Sequence, residues 1–149
     1  MLLFLTKRLS NSMGKGENKV SILAPKPPEN EKLRFSFEFY DGSKYCLSSW
    51  IQEDVKQTLS RLKEICKLSF NDMRRMASTY HFHEVDWKST TEKSGFPIRS
   101  VNGLSAFQFA LLGVNHQKAR VYGAYYGGIF YIVWFDFEHS ITPSFRKNT

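Results

Sequence analysis

Gly127-Gly128, set between two runs in which residues alternate in character, constrains this chain more than any other feature. Tight primed turns need positive φ, which glycine adopts freely, so the pair predicts an antiparallel hairpin from Lys118 to Phe137 with a fixed register. With Tyr126 opposite Ile129, Tyr122 falls opposite Val133, Arg120 opposite Phe135 and Lys118 opposite Phe137. Side chains then sort by parity. One face carries Val121, Gly123 and Tyr125 with Phe130, Ile132 and Trp134, and is expected to pack under helices. The other carries Lys118, Arg120, Tyr122 and Tyr126 with Tyr131, Val133 and Phe135, cations and aromatics together, as phosphates and bases would require. One step further out, the register sets His116 opposite His139 on that basic face.

Upstream, Leu33, Phe35, Phe37 and Phe39 alternate with Arg34, Ser36, Glu38 and Tyr40, which predicts a first strand closed by the turn Asp41-Gly42-Ser43. Ser48 and Ser49 offer N-caps. Ile51, Val55, Leu59, Leu62, Ile65 and Cys66 then recur at helical spacing and predict a helix of about 16 residues. A second, short helix is expected near Asn71 or Asp72, with Met73 and Met76 buried and Arg74 and Arg75 outside. Tyr80 to Gly103 shows no sustained period and reads as a long excursion. Alternation resumes at Phe107, Phe109 and Leu111. The expected fold is therefore α+β: a small twisted antiparallel sheet with two helices on one face, in the order β-α-α-β-β-β.

The chain has 149 residues, the size of one domain. Residues 32–145 are expected to form it, between a Pro-containing basic tail at 1–31 and a short basic tail at 146–149. The net charge of +7 favours an anionic partner, nucleic acid first. Arg146 and Lys147 would add to such a contact. Cys46 and Cys66 have neither metal spacing nor the density of a secreted scaffold, which fits reduced thiols in the cytoplasm. The apolar start Met1 to Leu5 is too short to span a membrane, and none is expected as a partner.

Two histidine groups carry the chemistry. His116 and His139, beside Lys118 and Arg120, would form a general acid and base with cations to stabilise a phosphodiester transition state. Tyr122, Tyr126 or Tyr131 would stack a base. His81 and His83, with Glu84 and Asp86 close by, are a secondary candidate, either as partial metal ligands or as a loop lending imidazoles to the basic face. No phosphate-binding glycine loop, nucleophile elbow or CxxC pair is present.

The element order, the basic charge, and the segments Ala119-Arg120-Val121-Tyr122-Gly123 and Phe130 to Asp136 followed by Glu138-His139 together resemble the RelE/ParE-like superfamily of bacterial toxins. The resemblance covers roughly Leu33 to Pro143. It implies a toxin-like endoribonuclease that cleaves RNA, in that superfamily often on the ribosome, by metal-independent attack of the ribose 2′-hydroxyl, without a cofactor and under the control of an antitoxin protein. Arg120 looks like the arginine of the family's central strand, and His139 like the histidine that follows its last strand. Two other functions stay open: a non-catalytic inhibitor docking on gyrase or another protein, and a nucleic-acid-binding module.

Overall fold

A computed structural model describes residues 27–143. Arg146 and Lys147, the terminal tail at 146–149 and all of the leading tail before Pro27 lie outside the described residues. Helices precede most of the sheet: β1 (Arg34–Ser36), α1 (Gln52–Ile65), α2 (Phe70–Arg75), α3 (Ala77–Tyr80), β2 (His83–Glu84), α4 (Arg99–Asn102), β3 (Ser105–Ala110), β4 (Arg120–Tyr126) and β5 (Ile129–Asp136). The class is α+β, but the sheet is mixed. Its five strands lie in the order β1-β5-β4-β3-β2, with β1 parallel to β5 and the other pairs antiparallel.

The expected first strand is cut short. The Ser36 hydroxyl accepts from the Glu38 amide at 3.2 Å, and the Tyr40 amide donates to the Phe37 carbonyl at 3.1 Å, so the backbone turns away from β5 after three residues. The chain returns beside β5 further on, where the Asp41 amide donates to Val133 and the Phe135 amide donates to Tyr45. An Asx turn holds that return: the Ser43 amide and hydroxyl both donate to Asp41 Oδ1, and Trp134 Nε1 donates to Asp41 Oδ2 at 3.0 Å. Burial works to raise the Asp41 carboxyl's pKa, and these hydrogen bonds outweigh it, leaving it below the usual value.

α1 runs for 14 residues and buries Thr58, Leu62 and Ile65. Ile51 is 66% exposed and Leu59 58%, so the buried stripe is rotated from the expected one. Neither Ser48 nor Ser49 caps it; they lie in a 3-10 turn, and Ile51 occupies the N-cap position without a side-chain hydrogen bond. α2 begins where a cap exists. Ser69 Oγ accepts from the Asp72 amide at 3.0 Å while Asp72 Oδ2 accepts from the Ser69 amide at 2.9 Å, a reciprocal capping box. Met73 is fully buried, and Arg74 and Arg75 face outward.

Leu62, Ile65, Phe70 and Met73 join Phe107, Phe109, Val121, Phe130, Ile132 and Phe135 in one hydrophobic cluster on the first face of the sheet. A second cluster fills the opposite face. There Val85, Phe96 and Val101 of the excursion pack with Tyr122, Ala124, Val133, Trp134 and Ile141. The segment expected to be an irregular loop thus supplies an edge strand and a cover. Asn102 closes it: its Oδ1 accepts from the Phe96 amide and its Nδ2 donates to the Phe96 carbonyl, each at 2.9 Å. This cover overturns the expectation of an open basic and aromatic face.

Candidate active site

The hairpin forms where its glycines predict, with Gly127 at φ 60° and Gly128 at φ 84°, and pairs Tyr126 with Ile129. The inferred register holds from there as far as Gly123 opposite Ile132. A β-bulge then shifts it by one: Tyr122 lies opposite Trp134, Val121 opposite Phe135 and Arg120 opposite Asp136. Beyond the bulge every β5 side chain changes face. Trp134 therefore leaves the helix-covered face and Phe135 joins it, the reverse of the parity expected from a regular ladder.

The bulge and the end of β4 also separate His116 from His139. β4 starts at Arg120, and His116 sits in a turn, Asn115–Gln117, whose residues all have positive φ. Lys118 follows that turn and is exposed, outside the ladder. Tyr122 is fully buried and offers no stacking surface. Its hydroxyl lies 3.1 Å from Gln108 Oε1, to which it donates, and 2.8 Å from Thr142 Oγ1. Burial pushes its pKa far up. Tyr126 is 66% exposed but stands at the hairpin tip, six residues along β4 from Arg120, roughly 20 Å away at strand rise. Tyr131 is half-buried against Phe39, with ring centroids 5.4 Å apart.

What does come together lies at the other end of the second face. Arg120 is only 8% exposed. Its Nη1 donates to the carbonyls of Gln117, Lys118 and Ala119, so the guanidinium closes the β3–β4 connection from inside. This leaves its Nε and Nη2 edge without a hydrogen bond among the described residues. Asp136, opposite Arg120 and 1% exposed, shapes the next segment. Its Oδ1 accepts from the Ser140 amide and hydroxyl, each at 3.0 Å, and its Oδ2 accepts from the Ile141 amide at 2.8 Å. The chain folds back, with His139 at φ 55° and half-buried in the turn.

His139 has its pKa pushed below the ordinary 6.5, first by desolvation, then by the positive charge of Arg120, with further contributions from His81 and His83; Asp136 opposes them. His83 pairs with Gln108, and Gln108 with Tyr122, so β2 carries His83 along the same row of the sheet. His81, two residues earlier, caps α3 in the left-handed conformation, and both imidazoles are exposed. Of the sequence-predicted residues, Arg120, His81 and His83 are those whose positive charge bears on His139, and no hydrogen bond among the described residues links His139 to any of them; His116 and Lys118 lie at the turn before β4, Tyr126 at the hairpin tip and Tyr131 against Phe39.

Asp136, Gln108 and Thr142 were not singled out from sequence. Asp136 had a readable cue, a carboxylate four residues before a serine, which is how a side chain caps a backbone turn. Among the described residues, no three His, Cys, Asp or Glu side chains gather as a metal ion would require. Cys46 and Cys66 are both free, and no described helix is long and apolar enough to cross a membrane. Compared with known proteins, the chain matches no family model, no curated protein and no solved structure.

Proposed function

We propose that this protein is a toxin-like endoribonuclease, held in check by an antitoxin protein, whose active site is formed by His139, Arg120, His81 and His83. One observation carries the reading: Arg120, buried where β4 begins, and Asp136 opposite it, whose carboxylate holds the turn carrying the half-buried His139, stand at one end of the β4–β5 pair. There desolvation first and the Arg120 charge second depress the His139 pKa, and His81 and His83 add to the effect. A neutral imidazole at neutral pH is a competent base. His139 takes the proton of the ribose 2′-hydroxyl, the 2′-oxygen attacks the adjacent phosphorus, and the bond to the 5′-oxygen breaks. His81 or His83 is the group that returns a proton to that leaving oxygen. Arg120, desolvated and fixed by backbone carbonyls, stabilises the added negative charge without reorganising. The products are a 2′,3′-cyclic phosphate and a 5′-hydroxyl.

The test uses purified full-length protein with ribosomes and with naked RNA, and analyses the ends of any fragments. A cyclic phosphate end, lost when the nucleotide at the cut carries 2′-deoxyribose, supports the mechanism. Intact RNA under both conditions removes it.

A second reading, a non-catalytic inhibitor that docks on another protein, is favoured by the exposure of two large apolar residues, Ile51 at the N-cap of α1 and Leu59 within it. Ile51→Lys with Leu59→Lys would abolish growth inhibition under that reading. Under the nuclease reading the double variant still cleaves RNA.

A further inference from the structure

Tyr122, Gln108 and Thr142 close a ring of hydrogen bonds inside the second face of the sheet. Tyr122 is fully buried, Gln108 is 1% exposed, and Tyr122 stands among the apolar side chains of the second cluster. Proton counting gives the ring its direction. The phenol has one proton and gives it to Gln108 Oε1 at 3.1 Å, so at its 2.8 Å contact with Thr142 Oγ1 it accepts, while Gln108 Nε2 donates to Thr142 Oγ1 at 3.3 Å. Each of the three side chains donates once and accepts once.

A satisfied polar ring in an apolar cluster adds little stability over apolar side chains of the same shape. It selects one arrangement instead. The arrangement here concerns the chain after β5, where Thr142 lies three residues beyond His139 and both residues between them are held. Asp136 accepts from the Ser140 and Ile141 amides, and the Ile141 carbonyl accepts from the Thr91 amide at 2.9 Å. On the other side of His139, the Phe137 carbonyl accepts from Asn115 Nδ2 at 2.8 Å. His139 therefore sits between two anchored stretches. The ring also reaches the ladder, since Gln108 pairs with His83 across β3 and β2, and directly paired residues share a face.

We propose that Gln108, Tyr122 and Thr142 are positioning residues, whose ring sets the segment carrying His139 against the sheet row that carries His83. Its catalytic consequence rests on the reading of those histidines as proton-transfer groups; the anchoring of His139 does not.

Three full-length variants test this against wild type. Thr142→Val replaces the hydroxyl with a methyl group, and Thr142→Ser keeps it. The triple variant Gln108→Met, Tyr122→Phe, Thr142→Val makes the whole ring apolar, so no buried polar group is left unpaired. RNA cleavage kinetics are measured together with the titration of the His139 imidazole by NMR, its signal assigned by its loss in His139→Asn. Arg120, Asp136, His81 and His83, the charges acting on that imidazole, are unchanged in all three variants. A moved midpoint thus reports a moved or more exposed ring.

In Thr142→Val and in the triple variant, kcat is expected to fall about tenfold or more with KM within about twofold of wild type. The His139 midpoint should rise toward the ordinary 6.5 as desolvation is relieved. Thr142→Ser should recover both. A folded Thr142→Val or triple variant with the wild-type kcat and midpoint overturns the proposal, and so does failure of both to fold while Thr142→Ser folds, which would make the ring a stability element. Should wild type leave RNA intact, the nuclease reading falls, and the midpoint alone decides the anchoring: a rise in either variant supports it, and no change overturns it.

Discussion

Tyr122 stands opposite Trp134, not Val133, and the single residue gained by β5 at this bulge decides which side chains the two faces of the sheet receive. It brings Asp136 level with Arg120. It also leaves the turn after β5, with His139, at the polar end of the second face.

The turn and the bulge make separable stability predictions. Gly127 has open space around it, so only its φ of 60° is restrictive. Gly127→Val should cost about 1–3 kcal/mol and Gly127→Asn much less, because Asn tolerates the left-handed region. Gly123→Ala should be worse than either, since a Cβ there would lie 2.2 Å from the Tyr131 carbonyl oxygen. Chemical denaturation of the three variants checks the order.

Asp136 is expected to position His139 through the backbone. Asp136→Ala leaves the amides of Ser140 and Ile141 without their acceptor and should cost about 1–3 kcal/mol. Cleavage should fall with it, because the turn carrying His139 loosens. Unfolding curves and cleavage rates measured together would show a purely local role if stability dropped and activity stayed.

The sign of the pH dependence follows from the depressed His139 pKa. The unfolded chain takes up this proton near the ordinary value of 6.5, whereas the folded protein takes it up only at lower pH. The stability due to neutral His139 is therefore complete above that value and is lost as pH falls from it through the folded pKa. Wild type should lose stability relative to His139→Asn over that window. Parallel pH dependences in the two proteins would mean that His139 is not held neutral by the fold.

RNA binding should weaken as salt rises, because cationic groups act by releasing counterions from the phosphates. Affinity measured by fluorescence anisotropy at low and physiological salt reads this directly. No difference would remove basic residues from the contact.

Much of the hairpin was legible in the sequence because glycine φ preference is a local property, and Gly127 and Gly128 carry it without help from the rest of the chain. The α+β class was legible for a related reason, since period two and the helical period differ within a few residues. The bulge was not. Val133 sits in a run of apolar residues, and nothing in Ile132-Val133-Trp134 marks which one is the extra residue. An error of one residue then moved Trp134 and Phe135 to the wrong faces. The cover over the second face was hidden likewise, because Val85, Phe96 and Val101 are spaced by turns rather than by a period. At the site, Arg120 was expected mid-strand on an open face, chosen by parity and by the resemblance, whereas β4 begins at Arg120 and buries it. The loop expected to lend His81 or His83 is tied to the sheet by a two-residue edge strand, too short to show alternation, that pairs His83 with Gln108.

The central claim, that His139 moves the proton in an RNA-cleaving site, is tested most directly by cleavage rates of wild type and His139→Asn. Asparagine suits the φ of 55° at this position and cannot act as a general base. The account predicts a fall of more than about tenfold, with an unfolding midpoint at neutral pH within about 0.5 kcal/mol of wild type. Wild-type protein that leaves RNA intact, or a His139→Asn variant that cleaves at the wild-type rate, contradicts it.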